Sequence, residues 1–182
     1  SARGNFLIEL ALKYPMLNFL GLEIREPLVV SAEKKRNQLG LTNLRFLFCN
    51  VNVSLDKWLL DLDKNQLQRV SIQFPDPWFK RKHFKRRVLQ PSLLNSLASS
   101  LRGGGEIFIQ SDILEVIESM IEVIDNSCYF DRKLFNGIKW LDKNPYEIFT
   151  EREIYAVERN LPIYRAIYCR NSKLFINICN NN

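Results

Sequence analysis

Six short β-rich runs alternate with longer segments of helical period along the 182 residues, and that alternation narrows the fold more than any other feature. The runs are Asn18–Ile24 (NFLGLEI), Leu44–Asn50 (LRFLFCN), Arg69–Phe74 (RVSIQF), Glu106–Ser111 (EIFIQS), Phe130–Phe135 (FDRKLF) and Tyr164–Arg170 (YRAIYCR). Strands separated by helix-length segments pair through crossovers, so the spacing predicts an α/β protein with a mostly parallel, twisted sheet and helices on both faces. The clearest helix is Asp112–Asn126. There Ile113, Val116, Ile117, Met120, Ile121 and Ile124 recur at three- and four-residue steps, while Glu115, Glu118 and Glu122 take the other face and Asp112 is the expected N-cap. Phe6, Leu7, Leu10 and Ala11 form a similar stripe closed by Pro15. Further helices are predicted over Pro27–Leu39, Leu55–Leu62 and Pro91–Leu101, the last stopped by Gly103–Gly105, and one more begins at Thr150. Residues 1–170 read as one domain, and 171–182 as a tail with a candidate edge strand followed by frayed asparagines.

Ligands of open α/β sheets bind beyond the carboxyl ends of the strands, so the residues that follow each run are the ones to inspect. Four successive runs end in polar or acidic groups: Glu23, Asn50, Asp76 and Asp112. A carboxylate in the position of Glu23 can accept from both hydroxyls of a ribose, and Asn50 can donate and accept at an adenine edge. Any one of the four, taken alone, is as readily a solvated loop residue or a helix cap. At Ser1-Ala2-Arg3-Gly4 the chain shows what reads as the end of a glycine-rich turn entering a helix, and the strand expected before it is absent from this sequence. A missing N-terminal piece is therefore expected. Gly103–Gly105 reads as a helix-to-strand turn and not as a phosphate loop.

Charge is distributed unevenly. The net charge is +6, and the window Lys80–Arg87 (KRKHFKRR) holds six Lys/Arg and no acid, so the remaining 20 Lys/Arg are balanced by 20 Asp/Glu. A local excess of this kind is the footprint of a polyanion partner rather than of a generally basic protein, although a charge run on its own is often only a solvated face. His83, the single histidine, lies inside it, where an RNA contact or a loop-stabilising role suits it better than catalysis. Four cysteines, Cys49, Cys128, Cys169 and Cys179, include no CxxC pair and read as reduced, buried residues. No apolar run approaches the ~18 residues of a membrane span, and the start SARGNFLIEL lacks the pattern of a signal peptide. A soluble intracellular protein is expected, in the cytoplasm or an organelle stroma or matrix, with no cluster of metal ligands.

The block FPDPWFKRKHFKRRVLQP, from Phe74 to Pro91, resembles the FPDPW-x-K-x-x-H-x-K-R-R-x-x-Q-P block of the tRNA (guanine-N7)-methyltransferase family. The stretches NFLGLE, LRGGGEIFIQSD and TEREIYA support the likeness, which runs from Gly4 to about Arg170. The resemblance implies a Rossmann-like class I methyltransferase fold, here apparently without its first strand, and S-adenosylmethionine as methyl donor. It implies transfer to N7 of a guanosine in the tRNA variable loop, tRNA as partner, and a monomer or homodimer. By position it makes Gly4, Glu23, Asn50 and Asp76 cofactor contacts, with Asp76 also the catalytic residue. Lys80, Asp112, Thr150, Glu151, Arg152 and Glu153 become substrate contacts, and Lys82, His83, Lys85, Arg86 and Arg87 become RNA contacts. Val51 stands where the family commonly has alanine, and Arg152 replaces an aromatic between Thr150 and Glu153.

Guanine N7 already carries an in-plane lone pair, so methylation there calls for alignment rather than a strong base. Asp76 would hold the guanine N1–H and N2–H2 donors, or the ammonium of the methyl donor. Pro75 and Pro77 stiffen the backbone on either side of it, while Trp78 offers either a stacking face or core packing. Thr150 and Glu153 carry the spacing of a capping box, which is compatible with a second role at the target base. Two alternatives stand beside the main reading: a base-amino methyltransferase, and a non-catalytic tRNA-binding remnant.

Overall fold

The structure is a computed structural model, and it describes residues 2–60, 62, 66–134 and 137–173. The candidate edge strand of the tail, Cys179 and Phe135 lie outside the described residues. The chain forms two compact units, residues 1–55 with 143–162, and residues 56–142 with 163–182.

In the first unit, helix α1 (Asn5–Lys13), strand β1 (Phe19–Glu23), helix α2 (Glu26–Gln38) and strand β2 (Leu44–Phe48) follow in order. β1 and β2 are parallel, with Phe19 opposite Leu44 and Glu23 opposite Phe48. The hydrophobic stripe of each helix packs on this pair: Ile8 and Ala11 of α1, Val29 and Ala32 of α2, and Leu44 and Phe46 of β2 form one core. Phe46 is its centre. Its ring fills the space that a Cβ would need at both Gly4 and Gly21, with closest approaches of 2.6 and 2.5 Å, so both positions are limited to glycine. Gly4 has φ 79° as the N-cap of α1 and so answers a second demand for glycine. Helix α3 (Val51–Leu60) begins in this unit, four residues earlier than the predicted Leu55, and helix α6 (Glu151–Glu158) completes it. Thr150 caps α6 as expected, its Oγ accepting from the Glu153 N–H at 3.1 Å.

The second unit holds strands β3 (Leu67–Gln73), β4 (Leu101–Ser111), β5 (Phe130–Arg132) and β6 (Tyr164–Arg170), with helices α4 (Pro91–Ser100) and α5 (Leu114–Asp125). The strand order is β3-β4-β6-β5, with β3 and β4 parallel and β6 antiparallel to both of its neighbours. Ile107, Phe108 and Ile109 of β4 are fully buried, with Leu93, Leu94 and Leu97 of α4 and Val116, Ile117, Met120 and Ile124 of α5 also in the core. The apolar stripe anticipated for α5 is thus the buried one. Arg170 ends β6 by turning back on α4, its Nε donating to the Ala98 carbonyl at 2.8 Å, one of the acceptors that a helix end leaves open.

Several local expectations are corrected. Gly103–Gly105 does not stop a helix in a turn: α4 ends at Ser100, and the glycines lie inside β4, where the five steps from Leu101 to Glu106 oppose only two steps, Leu67 to Arg69, on β3. They form an outward excursion of the strand, which Gly104 at φ 74° makes possible. The N-cap of α5 is Ile113 and not Asp112; it is Ser111 Oγ that accepts from the Ile113 N–H, at 3.1 Å. β5 stops at Arg132. Cys49 is buried as expected, but Cys169 is half-buried and Cys128 is exposed. Burial raises the thiol pKa of Cys49 and Cys169.

Candidate active site

In the first unit Glu23, Gly4 and Asn50 lie on the carboxyl side of the parallel pair. Glu23 closes β1 and is only 7% exposed. Its Oε2 accepts from the Ala2 N–H at 2.8 Å, and its Oε1 accepts from the Arg25 N–H at 3.1 Å and from Arg25 Nε at 2.9 Å. Burial on its own would raise the pKa of this carboxyl, but the Arg25 side chain, the positive charge of the amino terminus and the two backbone donors together outweigh it and hold the pKa down, at about 2. The group is therefore a fixed anion at neutral pH. The Cys49 N–H donates to the Glu23 carbonyl at 3.0 Å, which sets Asn50 one residue beyond the neighbouring strand's contact with Glu23. Asn50 is exposed, and its Oδ1 accepts from the Asn52 N–H at 3.2 Å in the first turn of α3.

The Thr150–Glu153 segment reaches the same region. Asn5, the first residue of α1 after Gly4, donates from Nδ2 to Glu151 Oε1 at 2.6 Å and accepts from Lys35 Nζ at 3.0 Å. The amino ends of α1 and α6 are thereby tied together. Glu151 and Arg152 are exposed, and the Arg152 guanidinium lies 4.7 Å from the Tyr155 ring. Glu153 is fully buried, and its Oε2 accepts from Asn144 Nδ2 at 2.7 Å. Asn144 also donates to the Ile148 carbonyl and accepts from the Tyr146 N–H, so a buried amide shapes the loop before α6. No local sequence signal announced Asn5, Arg25 or Asn144, since each acts through a partner that periodicity cannot see.

In the second unit the Phe74–Trp78 turn leaves β3 beside the end of β4. Its upstream end is held by the Phe74 N–H, which donates to the Gln110 carbonyl at 2.8 Å. Gln110 is fully buried in a polar chain: its Nε2 donates to Gln73 Oε1 at 2.6 Å and its Oε1 accepts from Arg165 Nε at 3.1 Å. Phe74 and Trp78 have φ of 48° and 44°, a left-handed conformation that is unfavourable for bulky side chains and tends to collect at functional sites. Between them Asp76 is exposed. An open recess of about 390 Å3 is lined by Asp76, Pro77, Trp78, Phe79, Lys80 and His83. Asp112 follows β4 on the same carboxyl edge, since Gln73 and Gln110 are paired in register.

Trp78 is neither a core residue nor a free platform. It is half-buried, with the His83 ring edge-on at 5.6 Å and the Arg86 guanidinium 5.1 Å from its ring. The charge run forms a 3-10 helix, Arg81–Arg86, that opens with the His83 N–H donating to the Lys80 carbonyl at 2.7 Å. Lys80, Lys82, Lys85 and Arg86 are exposed, whereas the Arg87 side chain is 13% exposed and hydrogen-bonded within the unit. Among the described residues no group of three His, Cys, Asp or Glu is arranged to hold a metal ion, and no helix is long and apolar enough to cross a membrane.

Residues 1–166 match the family model described as "Putative methyltransferase". A protein of Prochlorococcus marinus (strain NATL1A), the tRNA (guanine-N(7)-)-methyltransferase, is 66% identical over 177 residues, covering 97% of this chain and 83% of the relative. The chain belongs to the tRNA (guanine-N7)-methyltransferase family. Among solved structures, an rRNA methylase from Streptococcus thermophilus has a TM-score of 0.58 at 14% identity, covering 94% of this chain and 82% of its own. The [4+2]-cyclase SpnF has the same TM-score of 0.58 at 9% identity, covering 94% of this chain and 73% of its own. These likenesses show the Rossmann-like fold of class I methyltransferases that the resemblance implied. A methylase and a cyclase match equally well, so the fold leaves the reaction open, and it is the sequence identity that assigns the chain to its family.

Proposed function

We propose that this protein transfers a methyl group from S-adenosylmethionine to N7 of a guanosine in the variable loop of tRNA. The observation that carries the reading is the open recess lined by Asp76, Lys80 and His83, in a segment of the chain that also holds the exposed cations Lys82, Lys85 and Arg86. Residues 1–170 act as one methyltransferase domain on this reading, in the cytoplasm and as a monomer or homodimer.

The donor set of the first unit suits S-adenosylmethionine. Glu23 is a buried, permanently ionised acceptor at a strand end, and Gly4 brings backbone to a place where no side chain fits. Asn50, exposed one residue beyond the neighbouring strand's contact, is the adenine contact. When bound, the sulfonium supplies a methyl group that the N7 lone pair takes as the S–C bond electrons return to sulfur, leaving S-adenosylhomocysteine and N7-methylguanosine with no proton lost.

The chain therefore needs no strong base, and its work is to orient and to hold. Asp76 accepts from the N1–H and N2–H2 donors of the guanine or from the ammonium of the methyl donor, and Lys80 and Asp112 bind the target nucleotide. Thr150, Glu151 and Arg152 contact the base from the amino end of α6. Glu153, being fully buried, serves them by fixing that helix end through Thr150 and Asn144. Lys82, His83, Lys85 and Arg86 hold the tRNA backbone, and their summed charge makes binding steeply salt-dependent.

The test is methyl transfer to tRNA, with the product nucleoside identified and the site mapped by cleavage at N7-methylguanosine. Asp76→Ala should reduce the rate by orders of magnitude with N7-methylguanosine as the wild-type product. Full activity in that variant would remove the role of Asp76. N6-methyladenosine as product, or tRNA binding with no binding of S-adenosylmethionine in calorimetry, would overturn the proposal.

A further inference from the structure

The turn that presents Asp76 is strained at both ends, by φ 48° at Phe74 and φ 44° at Trp78. Non-glycine residues in that region are strained and persist only where the surroundings impose them. The upstream end has such a constraint in the Phe74–Gln110 hydrogen bond. Downstream, Pro75 and Pro77 carry no N–H, which leaves the turn few donors and makes its carbonyls the natural point of attachment. Arg87 supplies the donor. Its Nε bonds the Pro77 carbonyl at 3.2 Å, and its NH2 reaches Glu115 Oε1 on α5 at 2.7 Å. The guanidinium also lies 3.9 Å from the Phe84 ring centroid, and Gln90 Nε2 donates to the Arg87 carbonyl at 3.0 Å. The planar fork of arginine makes several directed bonds at once, which lysine cannot reproduce.

We propose that Arg87, although it ends the cationic run, is not a phosphate contact but a positioning residue that clamps the strained Asp76 turn to α5 through Glu115. The inference rests on the methyl-transfer reading for its catalytic consequence only. The clamp itself can be read without catalysis.

The experiment compares Arg87→Gln, Arg87→Lys and Glu115→Ala with Lys85→Gln, measuring kcat at saturating tRNA, tRNA Kd as a function of salt, and amide exchange over residues 74–79. Both Arg87 variants should lower kcat by about 10- to 100-fold, because small misplacements of catalytic groups have effects of that order. Their Kd and its salt slope should match the wild type. Lys85→Gln should instead weaken tRNA binding, with the log–log slope falling by about 0.9. Exchange over the turn should quicken in Arg87→Gln and stay unchanged in Lys85→Gln. A slope reduced by about one in Arg87→Gln, or full kcat in Arg87→Lys, would overturn the clamp. If the Arg87 variants unfold, Glu115→Ala decides: it removes the acceptor of the Arg87 guanidinium at a side chain that is 56% exposed, so the fold tolerates the change, and unaltered kcat together with unaltered exchange would refute the inference. If the wild-type chain makes no N7-methylguanosine, the methyl-transfer reading fails, yet exchange over the turn still confirms or refutes the clamp.

Discussion

Gly4→Ala should cost more stability than its position near the start of the chain suggests, for two separable reasons. The first is conformational: Gly4 has φ 79°, and an L side chain in the left-handed region loses roughly 1–2 kcal/mol. The second is steric. A Cβ built there meets Phe46 Cζ at 2.6 Å, Phe46 Cε1 at 2.8 Å and the Ala32 Cβ at 2.9 Å, all in the packed core of the first unit. Overpacking of this kind costs about 1–3 kcal/mol, so the sum is roughly 2–5 kcal/mol. Phe46 cannot readily give way, because its own N–H is held by Glu33 Oε1 at 2.6 Å and its ring already packs against Gly21. The assay is denaturant unfolding of four proteins: wild type, Gly4→Ala, Phe46→Leu and the double variant. Leucine has neither Cζ nor Cε1, so in the Phe46→Leu background Gly4→Ala should lose most of its steric cost and keep its conformational cost. The expected coupling between the two sites is about 1–2 kcal/mol, within the range seen for contacting residues. Additive costs would refute the steric half of the argument, and a total below about 0.5 kcal/mol would refute both halves.

Two further outcomes follow from the same geometry. Glu23 has its pKa lowered from 4.5 to about 2 in the folded chain, so its contribution is fully present above pH 4.5 and is lost as pH falls toward 2. The stability gap between wild type and Glu23→Gln should therefore be up to about 3 kcal/mol at pH 6 and shrink toward zero by pH 2, and a gap independent of pH across that window would contradict the assignment. Thr150→Ala removes the acceptor of the Glu153 N–H at 3.1 Å and should lower unfolding stability by about 1 kcal/mol, while Thr150→Ser retains it; equal losses in the two variants would mean that the hydroxyl is not the cap.

The parts of this molecule that the sequence makes legible are those decided within a few residues. The buried stripe of α5 shows as a three- and four-residue recurrence because one helix face determines it, and Thr150 shows as a cap because its partner is three residues away. Glu23 and Asp76 stand out because polar residues interrupt apolar strands where the strands end. The misreadings involve decisions made elsewhere in the chain. Gly103–Gly105 looks like a helix stop in any local window, yet the excursion of β4 is dictated by its register with β3. Asp112 is a good cap by type, but the helix starts one residue later, with Ile113 at the cap position and its N–H taken by Ser111 Oγ. Arg87 is the sharpest case, because composition cannot distinguish it from Arg86, its neighbour. What separates them is a carboxylate 28 residues away and a carbonyl 10 residues back, both of which exist as partners only once α5 and the Phe74–Trp78 turn are in place. A run of like charges is therefore not one structural unit: exposure and directed hydrogen bonds separate the exposed Lys80, Lys82, Lys85 and Arg86 from Arg87, which is bonded to the Pro77 carbonyl and to Glu115.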